Sequence, residues 1–336
     1  MKIMKYTTIK DIAKELDISK STVSRALSGD SNVSKETREK VVALANKMGY
    51  KRNDIAANLR MQQSKTVGII VPEMVTPFFM YVIMSAQKVL DEQGFKVIIT
   101  QSHEDPQAES YNLKLMENYR VDGIIMSVCH SDINLKEYFR LQEEGIPIVF
   151  FDRVPSKIHA CKVIVNDYVK SMLMMEHLIR SGRKRILHLA GPARIPNTEE
   201  RKKAYKDSLA KFKIPFDPEL LIEGENERSE GERVIRDFLR KKIPFDAIFS
   251  FGETLSIGAL SYIQSQGIKV PEEIAICGFS GTYLSTIVTP QLTAIQQPFE
   301  KMGRVSAEQI IKKINDPESS CETIILDAEI VIRQST

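Results

Sequence analysis

The chain has 336 residues, 43% of them hydrophobic, and a formal net charge of +3. That length exceeds one ordinary domain, so a small domain plus a large one, or a large two-lobed one, is expected. No apolar run approaches the ~20 residues of a membrane helix, which excludes a spanning protein of that kind.

Charge is unevenly placed. Residues 1–64 hold 13 Lys/Arg and 7 Asp/Glu, a balance of +6, which leaves −3 for the remainder. A basic head on a slightly acidic body is the footprint of a nucleic-acid binder with a second, non-binding domain, although chance clustering gives the same balance. The start of the chain has no apolar stretch long enough for a secretory signal. Cys129, Cys161, Cys277 and Cys321 are far apart and form no CxxC pair, which fits a reducing cytosol.

In chain order, residues 8–16 read as a short helix with Ile9, Ile12, Ala13 and Leu16 on one face. Asp17-Ile18 breaks it. Ser19 caps a second helix over 20–27, whose buried side is Val23, Ala26 and Leu27. The run 28–32 (Ser-Gly-Asp-Ser-Asn) is a loop by composition. Ser34 caps a third helix over 35–48, with Val41, Val42, Leu44, Ala45 and Met48 as its apolar set, and Gly49 stops it. Two short helices joined by a tight turn over a third suit a helix-turn-helix, and they also suit a generic three-helix interaction bundle. The second helix presents Ser19, Lys20, Ser21, Thr22, Ser24 and Arg25, a small, polar and cationic face fitted to phosphates and base edges.

This stretch resembles the DNA-binding headpiece of the lactose-repressor (LacI/GalR) family. The likeness rests on Thr8-Ile9-Lys10-Asp11-Ile12-Ala13, Ser19-Lys20-Ser21-Thr22-Val23-Ser24-Arg25 and Thr37-Arg38-Glu39-Lys40-Val41. It implies that Lys20, Ser21 and Arg25 read bases, and that Thr8, Ser19, Thr22, Ser28 and Asn32 contact phosphates. Asp17 stands where the family usually has Gly. Asp tolerates a left-handed backbone, so the turn is expected to survive.

Residues 51–64 follow as a linker or hinge helix, too short to be stable alone in water. The resemblance implies that Leu59 is a minor-groove wedge that bends the duplex.

Beyond residue 65 the pattern alternates. Strand-like apolar runs lie at 67–71, 96–100, 123–127, 147–152, 185–190, 247–251 and 274–278. Amphipathic helix-length stretches such as 77–92, 107–119, 168–181 and 254–266 separate them. Such strands belong to parallel sheets covered on both faces, and there are enough for two α/β lobes.

The family resemblance continues through Val71-Pro72, Pro77-Phe78-Phe79, Phe151-Asp152-Arg153, Gly191-Pro192, Arg201, Gly278-Phe279 and the tail Ile332-Arg333-Gln334-Ser335-Thr336. It implies an all-α helix-turn-helix headpiece (1–50) and a hinge (51–64). An α/β periplasmic-binding-protein-like core of two lobes with parallel sheets follows (65–336). The first lobe would span 65–164 and 295–324, and the second 166–293 and 326–336. The chain would cross between them near Val165, Ala294 and Ile325.

No catalytic set emerges. Gly278-Phe279-Ser280-Gly281 begins a nucleophile-elbow pattern, but Thr282 stands where it needs Gly. No phosphate-binding glycine loop occurs, and His103, His130, His159, His177 and His188 lack metal spacing. A non-enzymatic, cytoplasmic regulator without cofactor or metal is expected.

The resemblance places Phe79, Ser127, Asp152, Arg201, Gly252, Glu253 and Ser280 near a small-molecule effector, a sugar or sugar derivative. Asp152 can accept from hydroxyls and Arg201 can donate a fork of hydrogen bonds, while a turn residue and a surface helix charge remain the alternatives. Phe78 or Phe79 stacks on a sugar or is plain core. The family usually has Asn-Asp at Gly252-Glu253 and Asp at Ser280. With Arg153, Arg194 and Arg201 nearby, a sugar acid or phosphosugar is the second ligand class. The DNA partner implied is a near-palindromic double-stranded operator, read by a homodimer.

Overall fold

The computed structural model describes residues 7–50 and 63–336, which fall into two compact units that divide between Gln63 and Ser64. Leu59 and nearly all of the hinge segment lie outside the described residues.

The first unit holds three helices, α1 (Ile9–Glu15), α2 (Lys20–Ser28) and α3 (Lys35–Lys47). Each starts where a side chain satisfies an otherwise orphaned backbone donor. Ser19 Oγ accepts from Thr22 N at 3.1 Å, and Ser34 Oγ accepts from Thr37 N at 3.3 Å. At α1 the Asp11 carboxylate accepts from both Thr8 N and Thr8 Oγ1, at 2.9 and 2.8 Å. Asp17 takes φ of +52°, so the α1–α2 turn does use the left-handed conformation in which glycine is the usual residue. The core is Ile12, Ala13, Val23, Ala26, Val33, Val41 and Ala45. Val42, expected in the apolar set of α3, is 41% exposed. The inward stripe runs through 41, 44, 45 and 48, and position 42 lies about 100° around the helix from 41.

The second unit carries two six-stranded sheets. The first has the order β11-β5-β4-β3-β1-β2, all parallel. Its strands are β1 (Thr66–Val71), β2 (Lys96–Gln101), β3 (Gly123–Met126), β4 (Ile148–Phe151), β5 (Cys161–Val165) and β11 (Thr323–Leu326). The second has the order β12-β10-β9-β8-β6-β7, with only β12 antiparallel. Its strands are β6 (Ile186–Gly191), β7 (Leu221–Glu223), β8 (Ala247–Ser250), β9 (Ala275–Ser280), β10 (Thr293–Gln296) and β12 (Glu329–Val331). Strands β1, β3, β4, β6, β8 and β9 are almost wholly buried, hence their continuous apolar runs.

Helices α4 (Pro77–Glu92), α5 (Pro106–Asn118), α6 (Leu135–Glu143) and α12 (Phe299–Asn315) serve the first lobe. Helices α7 (Asp167–Arg180), α8 (Pro196–Lys211), α9 (Arg228–Lys241), α10 (Glu253–Ser265) and α11 (Leu284–Ile287) serve the second. Helices α4 and α12 meet at Gly303, where an added Cβ would lie 2.2 Å from Val82 O. Only glycine allows backbones that close.

The chain passes between lobes three times. The first passage follows Val165, where β5 ends. The other two come about two residues later than expected, because β10 stays paired with β9 through Gln296↔Ser280 and β11 with β5 through Leu326↔Val165. Ladder hydrogen bonds carry each strand to the lobe edge before the chain is released.

Candidate functional site

The three-helix unit presents α2 with Lys20, Ser21 and Arg25 exposed. Val23 and Ala26 pin the opposite side into the core, so residues 21 and 25, one turn apart, share the outer face. Neither Lys20 nor Arg25 makes an ion pair among the described residues, which leaves both charges available to an anion. Thr8, Ser19, Ser28 and Asn32 are exposed and Thr22 is half-buried at the start of α2. Several of these groups are tied to neighbours. Ser19 Oγ lies 2.6 Å from Ser21 Oγ and 2.8 Å from Thr22 Oγ1, Ser28 Oγ donates to Arg25 O, and Asn32 Nδ2 donates to Asp30. Arg38 Nη2 donates to Asp30 O at 2.7 Å and holds the loop before α3.

In the second unit, residues just past strand C-terminal ends converge on a cleft between the lobes. Glu73 follows β1, Asp152 follows β4, Gly252 and Glu253 follow β8, Ser280 ends β9, and Gln297 follows β10. Arg201 projects from α8, and Phe78 and Phe79 come from the first turn of α4.

Six of the seven expected effector residues line this cleft: Phe79, Asp152, Arg201, Gly252, Glu253 and Ser280. Ser127 does not. It is fully buried, and its Oγ accepts from Arg153 N at 3.4 Å beneath the cleft floor. Phe79 is a core residue that reaches the cleft. It is 2% exposed, packs edge-on against Phe151 at 6.1 Å, and still borders the cleft. Ser280 has φ of +91°, a conformation that costs a non-glycine residue about 1–3 kcal/mol and that clusters at functional sites.

The arginines are spoken for. Arg201 is 3% exposed, pairs with Asp167 Oδ1 at 2.6 Å and donates to Phe251 O, and its guanidinium carbon sits 3.5 Å above the Phe279 ring. Arg153 pairs with Glu104 at 2.8 Å, and Arg194 with Glu225 at 2.7 Å. The positive charge that favoured a sugar acid or phosphosugar is therefore neutralised at each residue.

Two carboxylates are closed off as well. Glu253 accepts from the hydroxyls of Thr282 and Ser285, and Glu73 from Val75 N, Thr76 N and Thr76 Oγ1. Asp152 is different. It receives one protein hydrogen bond, from Gln297 Nε2 at 3.1 Å, and φ of +56° turns it out of the strand. Burial, with help from the Asp167 charge, pushes its carboxyl up to about 6, and Arg153, Arg201 and the Gln297 bond oppose the rise.

Three groups absent from the sequence expectation complete the wall: Asn197, Asn226 and Gln297. Asn197 bridges the lobes weakly, donating to Asp152 O at 3.5 Å and firmly to Asp167 Oδ2 at 3.1 Å. The positions after Pro196 and before Pro298, a helix start and a passage between lobes, were the available signals.

The Asp152 shift makes a prediction. Between about pH 4 and 6 the folded carboxyl keeps a proton that the unfolded one has lost. Its contribution to stability is thus full below the unfolded value and is lost as pH rises through 6. At pH 7.5 Asp152→Asn should be more stable than the parent by up to about 3 kcal/mol, with the gap closing near pH 4. Thermal unfolding at both pH values checks this, and a gap that does not change with pH would mean a solvated carboxylate.

Residues 8–53 match bacterial regulatory proteins of the lacI family, and residues 64–334 match the periplasmic binding proteins and sugar binding domain of that family. The chain is 27% identical over 332 residues to the ribose operon repressor of Haemophilus influenzae, covering 98% of each chain. It is 28% identical over 333 residues to the transcriptional repressor PurR of Aliivibrio fischeri, again 98% of each. Among solved structures it resembles the lac repressor dimer bound to operator and the anti-inducer ONPF, with a TM-score of 0.87 at 23% identity over 98% of this chain and 99% of that one. It also resembles a complex of the regulator CelR with cellobiose, with a TM-score of 0.75 at 24% identity over 98% and 100%.

Proposed function

Because the chain belongs to the LacI family of bacterial regulatory proteins, we propose that it is a cytoplasmic, non-enzymatic repressor whose hold on an operator changes when a carbohydrate or related small molecule enters the interlobe cleft. The observation that carries this reading is the pairing of an exposed cationic α2 in one unit with a polar cleft lined by both lobes in the other. The ribose operon repressor, PurR and the CelR–cellobiose complex are among its likenesses, so the ligand class is inferred from the cleft and not copied from any one of them.

Helix α2 enters the major groove. Lys20, Ser21 and Arg25 read base edges, while Thr8, Ser19, Thr22, Ser28 and Asn32 fix the register on phosphates. Leu59 serves as the minor-groove wedge. Lys20→Ala or Arg25→Ala should cost about 1–3 kcal/mol on the operator and relax sequence preference. Fluorescence anisotropy on operator and scrambled duplexes measures both, and equal weakening on the two would demote the residue to a phosphate contact.

An effector acts only through different affinities for two arrangements of the lobes, so its contacts must come from both. Asp152 belongs to the first lobe and Arg201, Glu253 and Ser280 to the second. Cross-lobe bonds, Ser131 N to Arg194 O at 3.3 Å and Asn197 to Asp152, give such an arrangement something to break or make.

One headpiece reads a half-site, so two copies bind a near-palindromic operator. The first lobe offers a surface for the second copy. Met80 and Met84, one turn apart on α4, are 42% and 59% exposed, and Ile99 and Tyr111 are exposed on β2 and α5. Met84→Asp should weaken the dimer by about 2 kcal/mol or more, roughly thirty-fold. Sedimentation velocity reads this, and an unchanged dimer would put the interface elsewhere. The whole reading is tested by titrating operator with and without sugars that raise the thermal midpoint. A cleft ligand that leaves operator affinity untouched would refute it.

A further inference from the structure

The cleft's hydrogen-bonding capacity is lopsided. Its donors are mostly committed inside the protein. Arg201 serves Asp167 and Phe251 O, Arg153 serves Glu104, Gln297 Nε2 serves Asp152, and the Thr76 and Thr282 hydroxyls serve Glu73 and Glu253. Glu73 and Glu253 are likewise committed, but three acceptors keep capacity: the Asp152 carboxylate and the side-chain oxygens of Asn197 and Asn226. Asn197 is 5% exposed, and its amide nitrogen is spent on Asp167, which fixes the orientation of the group, since the flipped amide would set oxygen against carboxylate. That leaves Asn197 Oδ1 buried with no protein donor. Asn226 Oδ1, packed against Gly252 on the second lobe, is buried and unpartnered too. A buried acceptor left unsatisfied costs about 1–3 kcal/mol, so two on one cleft wall mark where an outside donor belongs.

Charge points the same way. Glu73, Asp152 and Glu253 line the cleft, and Glu104 and Asp167 stand behind its two guanidiniums. Five carboxylates face two arginines. An anionic ligand would meet net repulsion and would find the guanidinium forks already engaged with carboxylates.

We infer that the ligand of this cleft is rich in hydrogen-bond donors and carries no anionic group: a polyol or an amino sugar whose hydroxyl or ammonium groups reach Asp152, Asn197 and Asn226. This rests on the cleft being the effector site. Asp152 supplies the charged acceptor from the first lobe, and the two asparagines supply neutral acceptors from the second, so such a ligand draws the lobes together through donors of its own.

The test is a thermal-unfolding panel on the full chain at pH 7.5. Neutral sugars and polyols, amino sugars and other small amines, and sugar acids and phosphosugars are used at matched millimolar concentrations, and each hit is titrated against operator. Stabilising hits should come from the first two classes. Asp152→Asn and Asn226→Ala should each weaken their binding tenfold or more, and Asn226→Ala should do so with the ligand-free midpoint unchanged or raised, because it removes an unsatisfied acceptor. An anion that stabilises as strongly as any other probe, and does so equally in Asp152→Asn, overturns the ligand class. If that anion also changes operator affinity, the effector reading stands and only the class falls. A panel without any hit removes the effector reading and the class with it.

Discussion

A fragment spanning residues 65–336 should lose at least about a thousand-fold in operator affinity, the low end of what separates specific from non-specific binding, while keeping its ligand-dependent thermal shift. The expectation follows from where charge and core lie. The basic balance of +6 sits within residues 1–64, and the remainder carries −3. The headpiece has its own core around Ile12, Val23 and Val41, separate from the cores of the lobes. The fragment therefore surrenders the side chains proposed to bind phosphates and read bases without opening a lobe. Anisotropy with an operator duplex gives the first quantity and differential scanning fluorimetry the second. Retention of operator affinity by the fragment would move the DNA-binding surface into the body. Loss of folding would show that the body depends on the headpiece.

How much of this was legible in the sequence depends on burial. Central strands such as β1, β4, β6 and β8 are covered on both faces, so they are written as unbroken apolar runs, and each was located within a residue or two. The edge elements were not separately readable. Strand β7 has three residues, β11 and β12 carry mixed exposure, and β5 alternates buried with half-buried positions, which periodicity does not distinguish from a polar loop. The headpiece was legible because caps and turn residues are local. Ser19, Ser34 and Asp17 act within three residues of themselves. The cleft was only half legible. Asp152 and Ser280 announce themselves at strand ends, but the partner that governs Arg201 is Asp167, 34 residues earlier, and no spacing rule predicts that pair. Ser127 failed for a related reason. It also follows a strand, yet its side chain turns under the floor to hold Arg153. Sequence position gives the rim, and side-chain direction decides what faces the ligand.

That distinction changes what Arg201→Ala will do. With Arg201 as a free ligand contact, its removal would cost binding and little else. The structure instead puts it 3% exposed between Asp167, Phe251 and Phe279. Removing it strands the Asp167 carboxylate in a buried site, an uncompensated charge worth about 3–5 kcal/mol of lost stability. It also withdraws one of the charges that restrain Asp152, so the Asp152 carboxyl should move further up from about 6. Loss of ligand response in this variant would therefore not identify a contact. A double-mutant cycle separates the two roles. Asp167→Asn leaves Arg201 buried with a neutral partner and is itself destabilising. Combined with Arg201→Ala, it removes the stranded charge and should restore about 2 kcal/mol or more relative to Arg201→Ala alone. Urea unfolding of the parent, both single variants and the double variant supplies the cycle. If Arg201→Ala falls within about 1 kcal/mol of the parent, the pair is solvated and the cleft stands open to water. If stability returns in the double variant and ligand binding does not, the guanidinium touches the ligand as well as Asp167.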